Sequence, residues 1–373
     1  MIVKPLTHCR TDDVAERMRR FPRTRYQGSK RRHLDWIAAR MARESFDTAL
    51  DAFGGTGAVS YAMKCLGKRV TYNDALAFNH QIGLALIENH EVRLPTGEAK
   101  PLGRRVPGRE YPTFIADTFR GIYFTQAENR WLDVAAANIR AMNHPYLRAM
   151  AWHCVFQAAL AKRPYNLFHR RNLYMRKADV RRSFGNKASW DRSFVAHVET
   201  FAREANEAVF DTGVTCRATC ADVLDLAPGF DLVYLDPPYV NARGVGVDYR
   251  RFYHFLEGMI RYDEWPRLVE LTLKHRGFRQ SDAWSDPKQV HDLHAAAFAR
   301  FRDSTLVLSY RSDGVPSVDD LVRMMSEHKR SVEVDVGPRN QYTLSTNRAS
   351  REVLVFGRGS RGRFKVPRTK LTR

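Results

Sequence analysis

The sequence lacks any long apolar run, holds little cysteine and is short of acids. No window approaches the roughly 20 apolar residues of a membrane-spanning helix, and the opening MIVKPLTHCRTDDVAERMRR has no signal-peptide apolar core. The chain therefore reads as a soluble, cytoplasmic protein with no membrane partner. Its five cysteines (Cys9, Cys65, Cys154, Cys216, Cys220) are scattered and odd in number, which argues for reduced thiols rather than a disulfide framework. Cys216 and Cys220 lack a second Cys or His pair at zinc-finger spacing, and the thirteen histidines form no HExxH, so no metal is expected. Against 61 Lys plus Arg stand only 41 Asp plus Glu, a net charge of +20 with a pI near 10.0. That balance suits a polyanion, nucleic acid first and an anionic membrane surface second.

What is present is a strand and helix alternation with one long interruption. At 373 residues the chain can hold one large α/β domain with an insertion, or two domains. DTALDAF (47–53) and KRVTYNDA (68–75) read as short buried strands, each followed by helical pattern. From about 91 to 193 the pattern is helical (TFIADTFRGIYF, QAENRWLDVAAANIRAM, YLRAMAWHCVFQAALA) with a basic, aromatic-rich loop region and no convincing strand. After the helical SFVAHVETFAREANEAVF, strands resume with VTCRATCADV, DLVYLDPPY and STLVLSY (304–310). A helix opens at PSVDDLVRMM, with Pro316 or Ser317 in its first turn, and SVEVDV (331–336) and REVLVFG (351–357) suggest an antiparallel hairpin. The expected organisation is a Rossmann-like α/β domain with a mixed, mostly parallel sheet, its halves at 1–90 and 194–357. A helical insertion occupies 91–193, and a basic tail, disordered until it meets a polyanion, occupies 358–373.

Four stretches carry the chemistry. In DAFGGTGAVS (51–60) a strand, a glycine-rich turn and a helix follow one another, so backbone N–H groups can approach a ligand closely. The turn has neither the GxGxxG dinucleotide fingerprint nor the GK[ST] ending of a phosphate loop. Asp74, at the end of the next strand and 17 residues after Gly57, can accept bonds from both ribose hydroxyls of a nucleoside ligand, or cap a helix. In RTRYQGSKRRHLDWI (23–37), Tyr26 and Lys30 offer a ring and a cation beside the turn at Gly28 and Ser29. In DLVYLDPPYV (231–240), Asp236 stands where a strand leaves the sheet. Pro237 has no N–H to satisfy that carboxylate, and Pro238 holds Pro237 extended. The carboxylate and the Pro237 carbonyl are then two fixed acceptors beside Tyr239, a receptor for a planar group bearing NH2.

Taken in order, RYQGSK, DAFGGTGAVS, YNDA, an insertion, ADVLDL and YLDPPY resemble the Dam-like (D12 class, alpha-group motif order) family of S-adenosylmethionine-dependent DNA adenine-N6 methyltransferases. YRRFYHFLEGMIRYDEW and LVLSYRSDGVPS extend the resemblance over most of 21–357. It implies that Phe53, Gly55 and Gly57 form the cofactor loop, that Asp74 holds the ribose, and that Asp222 contacts the cofactor's adenine, with Asp225 three residues away as its rival. Tyr26, Lys30 and Asp236 would also be cofactor contacts. Asp236, Pro237 and Tyr239 would hold the target base, with 91–193 as the target-recognition domain. The cofactor would leave as S-adenosylhomocysteine.

On this reading the two acceptors draw the adenine N6 toward tetrahedral geometry, and the methyl moves by in-line displacement without a metal. The base must first be flipped from double-stranded DNA and stacked on Tyr239. The DNA surface is expected in KRPYNLFHRRNLYMRKADVRRSFGNKASWDR (162–192), where ten Lys or Arg face Asp179 and Asp191. Its candidate contacts are Arg163, Arg170, Arg171, Asn172, Arg176, Lys177, Arg181 and Arg182. Cytosine-N4 transfer, RNA adenine-N6 transfer and an inactive DNA-binding protein of the same fold are the alternatives. A separate cognate restriction endonuclease is a partner the resemblance allows; recognition sequence and oligomeric state are not readable.

Overall fold

The computed structural model describes residues 11–95, 97, 99–178, 180, 187–339 and 350–361. In chain order the strands are β1 (Thr48–Asp51), β2 (Arg69–Asn73), β3 (Arg217–Thr219), β4 (Leu232–Leu235), β5 (Val240–Asn241), β6 (Thr305–Arg311), β7 (Gly314–Val315), β8 (Lys329–Arg339) and β9 (Arg351–Ser360). Seven form one sheet in the order β3-β2-β1-β4-β6-β9-β8, while β5 and β7 pair separately. Neighbours from β3 to β6 are parallel, and β9 runs antiparallel to both β6 and β8. β1, β2 and β4 come from apolar runs, whereas β3 (RAT), at the sheet edge, is only partly buried. From β1 the chain winds outward through β2 to β3, then returns to β4 on the other side. The boundary between β1 and β4 is thus the point where the winding reverses, and a ligand crevice forms there beyond the carboxyl ends of the strands.

Alternate side chains of each strand enter different cores, as the pleat requires. Ala49, Tyr234, Val307 and Leu354 belong to one core; Leu50, Val233, Leu306, Leu308 and Val353 belong to the other. The first is covered by α1 (Leu34–Met41), α2 (Ala58–Cys65), α3 (Ala77–Gly83) and the helices that follow: α4 (Gln126–Arg140), α5 (Pro145–Ala161), α6 (Phe194–Ala208) and α7 (His254–Ile260). The second lies under α8 (Val290–Arg300) and α9 (Val318–Ser326). Ser317 caps α9, its side chain accepting from the Asp320 N–H.

Between β2 and β3 the described residues contain helices and turns and no strand. Thr125 and Glu128 form a capping box that starts α4. α5 is buried on nearly every side from Ala149 to Ala161, the pattern of a helix inside a core rather than on a surface. Phe156 packs edge-on against Phe78 of α3, and Tyr61 of α2 donates to the Ala208 carbonyl, so the helical stretch shares one core with the sheet. TFIADTFRGIYF is helical only over Phe114–Thr118; Gly121, at φ 67°, takes the backbone out of the helix.

The expected start of the basic tail needs correction. β9 continues to Ser360, and Arg358 is held by Glu44 and Glu333 at 2.7 to 2.9 Å while its guanidinium lies over Phe356. Pairing with β8, Ser331 with Arg358 and Lys329 with Ser360, carries the strand past the glycine at 357. The rest of the tail, 362–373, lies outside the described residues.

Candidate active site

The turn after β1 is shaped by close backbone approach. A Cβ on Gly54 would lie 2.1 Å from Cε2 of Tyr72, while Gly55 (φ 50°) and Gly57 (φ 77°) take conformations that favour glycine. Gly54 N–H donates to the Asn73 carbonyl, Gly57 N–H to the Gly54 carbonyl, and the Tyr72 hydroxyl to the Gly55 carbonyl. The loop is thereby bound to β2, and α2 starts directly from it.

Asp74, just past β2, fastens the same loop. Its Oδ2 accepts from Gly55 N–H at 2.9 Å and Asn79 Nδ2 at 3.1 Å, and its Oδ1 accepts from Leu76 N–H at 2.8 Å. A carboxylate offers about four acceptor positions, so roughly one remains for a hydroxyl rather than the two expected from sequence. Burial pushes this carboxyl up to about 6, with the three N–H donors partly offsetting it. Tyr26 accepts from Asn79 Nδ2 and belongs to a cluster of three nearly parallel rings, its centroid 4.4 Å from that of Tyr253 and 5.5 Å from that of Tyr249, which are themselves 6.2 Å apart. Asp222 accepts from Leu224 N–H, which turns its backbone, and it faces the crevice; Asp225 does not.

Asp236, beyond β4, stands in a different environment. Its Oδ1 lies 2.8 Å from Lys30 Nζ and accepts from the Tyr239 hydroxyl at 2.7 Å. Lys30 Nζ also reaches the Tyr239 oxygen at 2.5 Å and Glu352 Oε1 at 3.2 Å. Glu352, from β9, accepts from Ser309 at 2.6 Å and lies 2.9 Å from the Tyr239 hydroxyl, whose single proton serves one carboxylate at a time. Burial pushes the Asp236 carboxyl above its ordinary range, and Lys30 only partly counters this. Burial would likewise raise Glu352, but Lys30, Ser309 and Tyr239 hold it below its ordinary value.

Two expectations change here. Lys30, expected beside the cofactor, lines the crevice but is engaged by two carboxylates. Tyr239, expected to present a flat face, does not line it: its ring packs under Lys30 Nζ, 4.7 Å from the centroid, and edge-on against Tyr310. Its hydroxyl draws it inward.

These residues surround a cavity of about 580 Å3. Tyr26, Lys30, Phe53, Gly55, Asp74, Asp222 and Asp236 line it, with Pro238 rather than Pro237 at the strand exit. Sequence reasoning missed Asp51, Tyr249 and Trp284 in the lining, and Glu352 behind it. Trp284 meets the Phe53 ring edge-on at 4.9 Å. Asp51 accepts from the Ser60 N–H and hydroxyl through Oδ2, while its Oδ1 is buried without a hydrogen-bond partner among the described residues; burial pushes it from 3.8 to about 7. An acid at a buried strand position was the available signal for Asp51 and Glu352. No spacing marks Trp284 or Tyr249.

The basic segment divides into interior and exterior residues. Arg163 is buried: its guanidinium donates to the Leu167 and Arg170 carbonyls and lies over the Tyr123 and Phe168 rings. Arg176 is buried on Glu128, which it shares with Lys162, and donates to the Tyr123 and Trp190 carbonyls. Asn172 is buried and donates to the Pro164 carbonyl. These three are corrected from DNA contacts to structural residues, since their polar groups fix the loop from inside. Arg170, Arg171 and Lys177 are exposed, as are Tyr165 and Tyr174. Arg181 and Arg182 lie outside the described residues.

A family model described as D12 class N6 adenine-specific DNA methyltransferase matches residues 26–277. The chain is 27% identical over 348 residues to the Type II methyltransferase M2.HphI of Haemophilus parahaemolyticus, a match covering 90% of this chain and 97% of that protein. It is 23% identical over 363 residues to Modification methylase StsI of Streptococcus sanguinis, covering 89% of this chain and 51% of that protein.

Proposed function

The chain belongs to the D12 class N6 adenine-specific DNA methyltransferases, and from that premise we propose how its crevice divides the reaction. The methyl donor is S-adenosylmethionine, held by the loop at Phe53, Gly55 and Gly57, by Asp74 and Asp222 and by the Tyr26 ring. The residues fit such a group. The cavity has the size of a small-molecule site, the glycines bring backbone to its wall, and Asp51 presents a buried oxygen that lacks a donor. When bound, this cofactor supplies an electrophilic methyl on a positively charged sulfur.

The adenine enters from the Asp236 side, flipped out of duplex DNA because its N6 is otherwise paired and stacked. Asp236 accepts one N6 hydrogen; the other goes to the Pro237 carbonyl, as the family's motif implies, although it is Pro238 that lines the cavity. An exocyclic amine is a weak nucleophile while its lone pair is delocalised into the ring, and two fixed acceptors favour the tetrahedral nitrogen that frees it. After transfer the nitrogen is strongly acidic, and Asp236, whose carboxyl is raised by burial, can take the proton. Tyr239 serves the acceptor through its hydroxyl. The helical stretch 91–193 supplies target recognition, with Arg170, Arg171 and Lys177 as the phosphate contacts that set register.

The observation that carries this reading is one crevice with Asp74 and the glycine turn at one end and Asp236 at the other. Expression in a host without DNA methylation, followed by single-molecule sequencing, tests it. N6-methyladenine within one short sequence is expected; modified cytosine, or no modification, would overturn it. The relatives' names, Type II methyltransferase and Modification methylase, support a role as the protective half of a restriction system with a separate endonuclease.

A further inference from the structure

Behind the crevice lies a buried group that the family match does not reach. Glu352 opens β9, beyond residues 26–277, and is fully buried in an otherwise apolar stretch. An ionised carboxylate in such a place is costly unless donors surround it, and three do: Ser309, Tyr239 and Lys30. The same lysine and the same hydroxyl also hold Asp236 Oδ1. One cation therefore stands between two carboxylates, leaving the group with one net negative charge.

We propose that Glu352 is a positioning residue for methyl transfer: by sharing Lys30 and Tyr239 with Asp236 it fixes Oδ1 and leaves Oδ2 a strong acceptor toward the crevice. The inference rests on Asp236 receiving the amine. Paired with Lys30 alone, Asp236 would be neutralised by a full positive charge 2.8 Å away, and its hold on an N6 hydrogen would weaken. Glu352 draws part of that charge back. The two carboxylates differ as this requires: Glu352 is wholly buried and has Ser309 as a donor of its own beside the shared Lys30 and Tyr239 hydroxyl, whereas Asp236 has only the shared pair among the described residues and a side chain 15% exposed at the crevice.

The other titratable groups facing the pair are Tyr234 from β4, Asp51 from β1 and Tyr249 from the turn 249–252, with His33 near Glu352. Asp51 repels Asp236 and so adds to the effect of Glu352. The carboxyl of Asp236 is raised first by burial and, with opposite sign to Lys30, by Glu352. Removing the Glu352 charge therefore lowers it, and the acid limb of the rate profile moves to lower pH.

The test is Glu352→Gln in the full chain, read by single-turnover methylation of duplex DNA across pH and by S-adenosylhomocysteine affinity. The expected result is a rate about 10- to 100-fold lower, from the loss of one charged hydrogen-bonding partner, with the acid limb shifted down. Cofactor affinity is expected to stay within about threefold, because nothing at the Asp74 end changes. An unchanged rate and limb, or a cofactor affinity that falls in step with the rate, would overturn the proposal. If Glu352→Gln does not fold, Glu352→Asp keeps the charge but withdraws it from Tyr239 and Lys30. A slower rate at wild-type cofactor affinity supports the proposal there, and a wild-type rate overturns it. Asp236→Ala separates the two levels: activity in that variant refutes the reading of the site. Its inactivity beside a wild-type Glu352→Gln refutes this inference alone.

Discussion

Asp74 and Asp236 occupy equivalent places, each one residue past a parallel strand and each facing the same crevice, yet they are held in opposite ways. Asp74 is surrounded by neutral N–H donors that also bind the glycine turn; Asp236 is surrounded by a lysine, a tyrosine and a second carboxylate. Neutral donors nearly fill a carboxylate and make it a structural anchor with little capacity to spare. A shared cation instead fixes one oxygen and leaves the other reactive. On the proposed reading, the difference gives binding to the first end of the crevice and chemistry to the second.

The largest effect is expected from Asp236→Ala, which removes one of two amine acceptors. Single-turnover methylation should fall by about 10³-fold or more, while cofactor affinity stays near wild type. Outside the crevice, the contrast between a satisfied buried group and an available one separates Arg163 from Arg170. Arg163→Ala is expected to destabilise the protein by about 3 kcal/mol in denaturant melts, because two carbonyls and two ring faces lose their partner.

Asp74→Ala frees Gly55 and Asn79, and it is expected to weaken cofactor binding by roughly 10- to 100-fold in titration calorimetry. Asp51 is a third carboxylate at the strand ends, with one oxygen satisfied and one bare. Its folded value is raised from 3.8 to about 7, so it favours the native state least above that range, and the penalty fades as pH falls toward 4. Asp51→Asn keeps an acceptor for Ser60, so its stability relative to wild type should improve between pH 5 and pH 8, by on the order of 1 kcal/mol. A difference flat in pH would contradict that assignment. Smallest is Arg170→Ala or Lys177→Ala: each should leave stability unchanged and reduce the salt dependence of DNA affinity by about one phosphate contact.

How much of this was legible in the sequence follows the same division. The parallel strands, their carboxyl-end acids and the late hairpin were readable because apolar runs, glycine spacing and X-Pro stiffness act over a few neighbouring residues. The resemblance then ordered Phe53, Gly55, Gly57, Asp74 and Asp236 into one site. What escaped was partnership across the fold. Lys30 and Glu352 are 322 residues apart by their numbering; the sheet order β4-β6-β9 brings Glu352 behind Asp236, and the turn Lys30–His33 brings Lys30 to both. The basic run misled for a related reason. Arg163 and Arg176 share their composition with Arg170 and Lys177, and composition does not say which guanidinium turns inward to satisfy carbonyls and Glu128. Likewise, the Tyr239 ring was legible as an aromatic next to the acceptors, but its direction is set by a hydroxyl bond to a strand far along the chain.

The division of the crevice is tested most directly by measuring cofactor affinity and single-turnover methylation rate side by side in Asp74→Ala and Asp236→Ala. The account predicts that the two variants fail in opposite columns: Asp74→Ala binds cofactor poorly but approaches the wild-type rate at saturation, and Asp236→Ala binds cofactor normally but does not methylate. Two variants that lose affinity and rate together, in the same proportion, would contradict it.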